Sequence, residues 1–205
     1  MVSYLGCSSD DNNNSSTNED PNPVYLDANG VTVKAREWAE VGDIGIINSI
    51  TYTVVDEAML RDMVGNKDDL TKLATTKVTN MSTIFMDQYD GNFNQPIGNW
   101  DVSNVTKMDE MFNGAQIFNQ PIGNWDVSNV TDMGWMFIGA ASFNQPIGNW
   151  DVSSANDMDR IFQDAIKFNQ DLSSWDVTNV TECSFFDQNT PEWILPKPNF
   201  TNCTP

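Results

Sequence analysis

The feature that most constrains the fold is a phrase that returns every 25 residues. The segment FNQPIGNWDVS stands unchanged at residues 93–103, 118–128 and 143–153, and a degenerate copy, FNQDLSSWDVT, follows at 168–178. A fixed period of about 20–50 residues is typical of stacked architectures, in which one unit cannot bury its apolar side alone. The repeat therefore predicts that equivalent side chains of successive copies lie above one another.

Each copy contains two hydrophobic periods. Residues 125–128 alternate between apolar and polar, which predicts a short strand. From Val130 onward the apolar residues recur on one helical face, and Asn129 followed by Asp132 is typical of a helix start. The sequence thus predicts an α/β repeat solenoid, a horseshoe of short parallel strands and short helices.

Before the repeats, the sequence has the signals of β-hairpins and one helix. An Asn-Gly pair at residues 29–30 and an Asn-Ser pair at 48–49 each separate two apolar runs. Asp56 can cap a helix over residues 57–64. This region is predicted to be an N-terminal β+α cap that covers one open end of the repeats.

The repeat motif, W-D-V-S-N-V-T-x-M-x-x-M-F-x-x-A-x-x-F-N-Q, covers residues 78–187. It resembles the surface-protein repeat of mycoplasma and Bacteroidetes lipoproteins, which is related to the BspA-like leucine-rich repeats. The resemblance implies an extracellular, leucine-rich-repeat-like binding module, often surface-anchored, with no common catalytic activity. The end copies depart from the motif: two additional residues occur around Tyr89 and Asp90, and Cys183 and Asp187 replace Met and Phe.

The N-terminus also resembles that of an exported lipoprotein. Residues 5–7, Leu-Gly-Cys, resemble the end of a bacterial lipobox, which predicts lipidation of Cys7. The Ser-Ser-Asp-Asp that follows resembles the export signal of Bacteroidetes lipoproteins. We therefore expect a lipid-anchored protein on the bacterial outer membrane or cell surface, touching the membrane only through its anchor. An ordinary cytosolic N-terminus is the alternative.

These signals divide the chain into five predicted parts. The parts are a remnant of a lipoprotein signal (1–7), a disordered tether (8–23), the N-terminal cap (24–73), the repeats (74–187) and a C-terminal cap (188–205). The tether contains Asn, Ser, Asp and Pro without apolar periodicity, so it cannot bury enough surface to order itself.

Charge and missing motifs exclude several function classes. With 29 acidic and 10 basic residues the net charge is −19, which argues against a nucleic acid or an anionic membrane surface as partner. The chain has no histidine, which excludes His-based triads and His metal sites. No C-x-x-C, G-x-S-x-G, P-loop or G-x-G-x-x-G motif occurs. We therefore expect no enzyme, with a carboxylate pair of the glycosidase type as the remaining catalytic alternative.

Stacking would bring equivalent aspartates together along the predicted strands. Like charges about 5 Å apart repel by about 0.8 kcal/mol in water. Either each carboxylate accepts hydrogen bonds from nearby backbone and Ser groups, or the column holds Ca²⁺ with neighbouring Asn residues. The candidate calcium ligands are Asp101, Asp126, Asp151 and Asp176. The candidate ligand-binding residues are these four together with Ser103, Ser128, Ser153 and Trp135, which replaces Glu110 and Arg160 of other copies.

Three further features carry predictions. A Trp recurs two residues before a Val in each copy, which favours a buried column over sugar stacking. The Asn-Gln pairs from 94–95 to 169–170 predict amide ladders between return loops. With Cys7 lipidated, Cys183 and Cys203 remain as a candidate disulfide worth about 2–4 kcal/mol, or as free thiols. The tryptophans of the predicted buried column, one in each copy, are Trp100, Trp125, Trp150 and Trp175.

The sequence and the resemblance together predict a monomeric, non-catalytic recognition or adhesion module without a cofactor. It would bind an extracellular protein through the exposed strand face of the repeats. The alternative is a carbohydrate-binding surface lipoprotein that captures glycans.

Overall fold

Among the residues that the structure describes, helices and strands occur only between Val24 and Ala74. The computed structural model describes residues 20–86 and 91–205. Cys7, most of the predicted tether, and Tyr89 and Asp90 lie outside the described residues. The elements are β1 (Val24–Leu26), β2 (Val33–Ala35), β3 (Ile44–Ile47), β4 (Ile50–Val54), α1 (Glu57–Gly65) and β5 (Leu73–Ala74). None of the helices in the described residues is long and apolar enough to cross a membrane.

Both predicted hairpins of the cap are confirmed. β1 pairs with β2 in antiparallel fashion, and the Asn29 side chain accepts hydrogen bonds from the N–H groups of Val31 and Thr32 in the turn. β3 pairs with β4 through a turn in which Asn48 and Ser49 have φ values of 50° and 67°. β5 adds to β4 in parallel, so the second sheet has the order β3-β4-β5.

The predicted cap helix is also confirmed. The Asp56 side chain accepts a hydrogen bond from the N–H of Met59 at 2.9 Å, and Glu57 complements the positive end of the helix dipole. Leu60 and Val64 are buried on the inner face of α1, where they join the core that continues into the repeats.

The predicted α/β repeat horseshoe is wrong. Residues 125–128 form no strand, and the segment after Asn129 consists of tight turns without a helix. A helix needs φ near −63° at every residue, but the later copies each have two left-handed positions. One is occupied by Gly114, Gly139, Asp164 and Asn189, and the other lies four residues earlier and recurs in every copy. The residues at this position, called the left-handed column, are Thr83 (φ 59°), Glu110 (55°), Trp135 (62°), Arg160 (52°) and Phe185 (56°).

Backbone groups in the repeats bond to the next copy, so they are not available for a helix. The N–H of Trp135 donates to the carbonyl of Asp159 at 2.7 Å, and that of Phe137 donates to the carbonyl of Ile161 at 2.9 Å. The alternate residues close short turns within their own copy: the N–H of Met136 donates to the carbonyl of Met133, and that of Ile138 to the carbonyl of Trp135. Isolated parallel bridges connect Asn80 to Lys107, Lys107 to Asp132, Asp132 to Asp157 and Asp157 to Glu182.

The aromatic core follows the repeat period. The ring centroids of Phe112 and Phe137 lie 5.4 Å apart, and those of Phe118 and Phe143 lie 6.0 Å apart. Neighbouring copies therefore stack equivalent rings, as the period predicts. The buried core runs without interruption from α1 to Trp193 near the C-terminus.

A glycine in each of three copies permits this close stacking. A Cβ on Gly123 would lie 2.4 Å from the carbonyl oxygen of Pro146 in the next copy. The same overlap occurs at Gly98 and Gly148, whereas the last copy has Ser173 at this position. The glycine is present where another copy packs against it.

The C-terminal end of the repeats is covered by a segment without helix or strand. Cys183, in the last copy, is joined by a disulfide to Cys203, with the two Cα atoms 5.9 Å apart. The indole of Trp193 lies edge-on against the ring of Phe168, at a centroid distance of 4.7 Å. Residues 188–205 therefore attach to the last copy through a covalent bond and aromatic packing.

Candidate functional site

The four predicted aspartates belong to turns. The Asp126 side chain accepts hydrogen bonds from the N–H of Ser128 at 3.2 Å and from its hydroxyl at 2.6 Å. Asp101 makes the same contacts with Ser103 and is buried under the cap, where the hydroxyl of Thr76 donates to it at 2.7 Å. The equivalent pairs in the later copies are Asp151 with Ser153 and Asp176 with Thr178.

These hydrogen bonds stabilise the charged carboxylate. Those from the hydroxyl and N–H of Ser153 lower the pKa of Asp151, and those from Thr178 lower the pKa of Asp176. Within residues 20–86 and 91–205, no three His, Cys, Asp or Glu side chains are grouped so that they could hold a metal ion. Of the two explanations for the aspartate column, the geometry supports turn formation.

The tryptophan column is core. Trp125 and Trp150 are buried, and each indole Nε1 donates to a carbonyl of the preceding copy. The acceptor of Trp125 is Ile97, at 3.3 Å, and that of Trp150 is Ile122, at 3.2 Å. Because their rings are covered, these tryptophans cannot stack on a sugar.

The Asn-Gln pairs connect adjacent copies. The side-chain oxygen of Asn119 accepts hydrogen bonds from the N–H of Asn144 and the Nε2 of Gln145, both at 2.9 Å. Asn94 and Asn144 make the same contacts with the copies that follow them. The predicted amide ladder is confirmed, and its acceptors are used inside the stack.

Trp135 lies on the surface with two other large side chains of the left-handed column. Trp135 is 39% exposed and Phe185 is 44% exposed. The Cζ of Arg160 lies between the two rings, 5.0 Å from the Trp135 centroid and 4.2 Å from the Phe185 centroid. We call Trp135, Arg160 and Phe185 the aromatic–arginine patch. Such distances allow a guanidinium to interact with the π-faces of both rings.

The position of the Arg160 side chain is fixed by its neighbours. Its Nε lies 3.2 Å from the Asp159 carboxylate, and its Nη1 donates to the side chain of Gln163 at 3.2 Å. The Nε is buried and the Asp159 contact lacks hydrogen-bond geometry, so it has no hydrogen-bond partner in the described chain. The guanidinium of Arg160 is therefore held by the Asp159 carboxylate while it contacts the rings of Trp135 and Phe185.

The fold does not require aromatic rings at these positions. The backbone needs a left-handed residue there, and Thr83 and Glu110 satisfy that requirement in the first two copies. Bulky residues are uncommon in this region of φ. Sequence reasoning found Trp135 but missed Phe185, although Phe185 occupies the same position 50 residues later.

Carboxylates lie near the patch on residues joined by the isolated parallel bridges. We call these residues the bridge column: Asn80, Lys107, Asp132, Asp157 and Glu182. Burial raises the pKa of Asp132, and the charges of Asp109 and Asp157 raise it further. Burial also raises the pKa of Asp157, with Asp159 and Glu182 among its acidic neighbours. A Cβ on Gly134, the residue before Trp135, would lie 3.1 Å from an oxygen of Asp157. Asp157 thus places negative charge next to the residue before Trp135, and Asp159 places it next to Arg160.

A groove of about 380 Å³ lies on the cap. It is lined by Tyr25, which is 37% exposed, and Trp38, which is 45% exposed, together with Asp20, Arg36 and Glu37. The Cζ of Arg36 lies 5.3 Å from the Tyr25 centroid, and its Nη2 lies 2.7 Å from the Asp20 carboxylate. Asp132 and Asp157 do not line this groove.

Comparison with known proteins identifies the family but gives no activity. No curated protein and no solved structure is significantly similar to this chain. One family model matches residues 56–151 and again 121–194, which together span the end of the cap and all the repeats. The predicted resemblance to a mycoplasma-type repeat is thereby confirmed at the level of the family. This chain belongs to the family described as "Mycoplasma protein of unknown function, DUF285".

Proposed function

We propose that this chain is a non-catalytic recognition or adhesion module that binds an extracellular protein through the aromatic–arginine patch. The observation that carries the proposal is the exposure of Trp135 and Phe185 at positions where the fold requires only a left-handed backbone. Trp, Arg and other aromatic residues are enriched among the residues that dominate protein–protein binding energy. Arg160 holds both rings in place, which reduces the entropy lost on binding.

The remaining surface chemistry favours binding over catalysis. The carboxylates of the aspartate column form turns, and those with a raised pKa, Asp132 and Asp157, lie outside the cap groove. A hydrolytic pair would need two such groups converging in a pocket. The catalytic alternative therefore has no support from the site geometry.

We further propose that the protein is displayed outside the cell, on a lipid attached to Cys7, as a BspA-like relative. The disulfide between Cys183 and Cys203 supports export, because such bonds persist in oxidising compartments. Palmitate labelling of the wild type and of Cys7→Ala in a lipoprotein-producing bacterium tests the anchor. Labelling that is unchanged by the substitution would remove the anchor from the proposal.

The test of recognition compares two variants at equivalent positions. In Trp135→Asn/Phe185→Asn the rings are removed, and Asn tolerates the left-handed conformation. Glu110→Asn is the matched control in the same column. Against immobilised extracellular-matrix glycoproteins, we expect wild-type binding, at least a tenfold loss in the double variant, and no change in the control. Wild-type protein that binds no member of the set, or a double variant that binds normally, would contradict the proposal.

Glycan capture is a second candidate function, located on the cap. The exposed rings of Tyr25 and Trp38 beside Arg36 and Glu37 offer apolar surfaces for sugar C–H groups and polar groups for hydroxyls. Titration with neutral oligosaccharides would show binding that Trp38→Ala abolishes and Trp135→Asn does not affect. If sugars bind only through Trp135, the cap groove is not the site.

A further inference from the structure

We infer that the aromatic–arginine patch docks an arginine-rich segment of the partner protein, an inference that rests on the proposed function. The chemistry of the patch identifies the segment in two ways. First, the rings of Trp135 and Phe185 already contact a guanidinium of this chain. Second, the carboxylates near the patch outnumber the cations near the patch.

Arg160 shows that the rings of Trp135 and Phe185 can bind a guanidinium. Its guanidinium lies against both rings, at 5.0 Å from Trp135 and 4.2 Å from Phe185, with the Asp159 carboxylate 3.2 Å away. With Arg160 in place, the two aromatic residues still expose about two-fifths of their surface. A second guanidinium can therefore contact the exposed part of these two side chains from outside, with the carboxylate of Asp157 next to Gly134 as its nearby counter-charge.

The bridge column carries three carboxylates, on Asp132, Asp157 and Glu182, and one cation, on Lys107. Asp132, Asp157 and Glu182 are consecutive members of that column, connected by parallel bridges. Lys107 is the cation that acts on Asp132, whereas Arg160 already pairs with Asp159. A cationic segment along this column would reduce the repulsion between its carboxylates. An anionic partner would meet this charge and the net charge of −19.

The chain itself shows how to remove the charge without disturbing the turns. In the first copy, the bridge column has Asn80, whose side-chain oxygen accepts a hydrogen bond from the N–H of Ser82 at 2.8 Å. Asp132 makes the equivalent contact with the N–H of Gly134, at 3.2 Å. Asp132→Asn/Asp157→Asn should therefore keep the backbone geometry and remove two charges.

The experiment measures binding of a fluorescein-labelled peptide of alternating Arg and Ser by anisotropy at about 0.15 M salt, where charges are screened beyond about 8 Å. We expect Trp135→Asn/Phe185→Asn to weaken binding about tenfold and Asp132→Asn/Asp157→Asn to weaken it about fivefold. Glu40→Gln/Asp62→Asn on the cap removes the same charge from exposed positions and should change affinity less than twofold. A peptide with Glu in place of Arg should not bind.

Two results would overturn the inference. In the first, the cap variant loses as much affinity as Asp132→Asn/Asp157→Asn, so the peptide responds only to net charge. In the second, removal of both rings leaves the affinity unchanged. Circular dichroism and thermal unfolding of each variant establish that it is folded before binding is compared.

The same variants separate this inference from the proposed function. If matrix glycoproteins bind through Trp135 and Phe185 but the Arg peptide does not compete, the recognition role stands and the arginine-rich partner is wrong. If the Arg peptide binds at the patch while no matrix glycoprotein binds, the chemistry of the patch stands and the adhesion role is wrong.

Discussion

The cap and the repeats differ in where their backbone N–H and C=O groups find hydrogen-bond partners. In the cap, α1 and the two hairpins pair N–H and C=O groups within short segments, as between β3 and β4. In the repeats, the N–H of Trp135 crosses to Asp159 of the next copy, and the amide of Asn144 crosses to Asn119. The cap can therefore be built from local signals, whereas a repeat acquires its backbone conformation only with its neighbours present.

Removal of the disulfide should produce the largest effect, because residues 188–205 contain no helix or strand and are attached to the copy before them through this covalent bond. Cys203→Ser should destabilise the protein by about 2–4 kcal/mol, since the bridge restricts the unfolded chain across a separation of 20 residues. Urea unfolding with and without reductant measures the change.

Reductant should lower the stability of the wild type to that of Cys203→Ser and leave the variant unchanged. Equal stability of the wild type in both conditions would show that aromatic packing by Trp193 is sufficient to attach the segment.

One glycine of the repeats and one of the cap differ in how closely other atoms approach them. Gly123→Ala should lower the free energy of unfolding by about 1–3 kcal/mol, because the new Cβ would lie 2.4 Å from the carbonyl oxygen of Pro146, a backbone atom that cannot rotate away. Gly65→Ala, at the end of α1, meets no atom within 4 Å and should be neutral or stabilising by about 0.5–1 kcal/mol. Urea unfolding of the two variants measures both values, and similar costs would mean that the copies are not closely stacked.

Local signals explain which parts of the fold were predictable. The turn at residues 29–30 and the Asp56 cap each act within a few residues, so the sequence predicted both. The period also predicted the stacked rings, because it fixes which side chains are equivalent. These signals do not depend on contacts between distant segments.

The repeat backbone was mispredicted because spacings of three residues have two structural meanings. Val130, Met133 and Met136 follow one another at intervals of three, as do Phe137, Ala140 and Phe143. A helix would mix intervals of three and four, whereas successive short turns place every third residue inward. The signal for successive turns was a spacing of three between apolar residues, broken once between Met136 and Phe137.

The site was partly predictable for the same reason. Trp135 could be found because it departs from the surrounding copies, but the role of Arg160 depends on contact with rings in two other copies. The aspartates recur at equivalent positions of successive copies, and each forms a local turn with a Ser or Thr partner, as Asp126 does with Ser128 and Asp176 with Thr178. The aspartates that were predicted to lie on the exposed face of strands lie in turns instead.

Acid should reveal the smallest difference between the two regions. In the cap, hydrogen bonds from Thr71 and Lys72 lower the pKa of Asp69 to about 2, whereas burial and like charge raise the pKa values of Asp132 and Asp157. At neutral pH, Asp69 therefore stabilises the folded state, and the charged pair in the repeats destabilises it. Asp132→Asn/Asp157→Asn should raise the melting temperature by a few degrees at pH 7, and Asp69→Asn should lower it slightly.

The two differences should disappear over different ranges of pH. As pH falls through the raised pKa values, folded Asp132 and Asp157 take up protons before the unfolded chain does, so the wild type gains stability relative to their Asn variant. That gain is complete once pH is below the unfolded pKa of about 3.9. The Asp69→Asn deficit shrinks instead between pH of about 4 and about 2, as the unfolded and then the folded carboxyl is protonated. Melting curves from pH 7 to pH 2 measure both, and a repeat variant whose advantage grew on acidification would show that Asp132 and Asp157 are stabilised as anions.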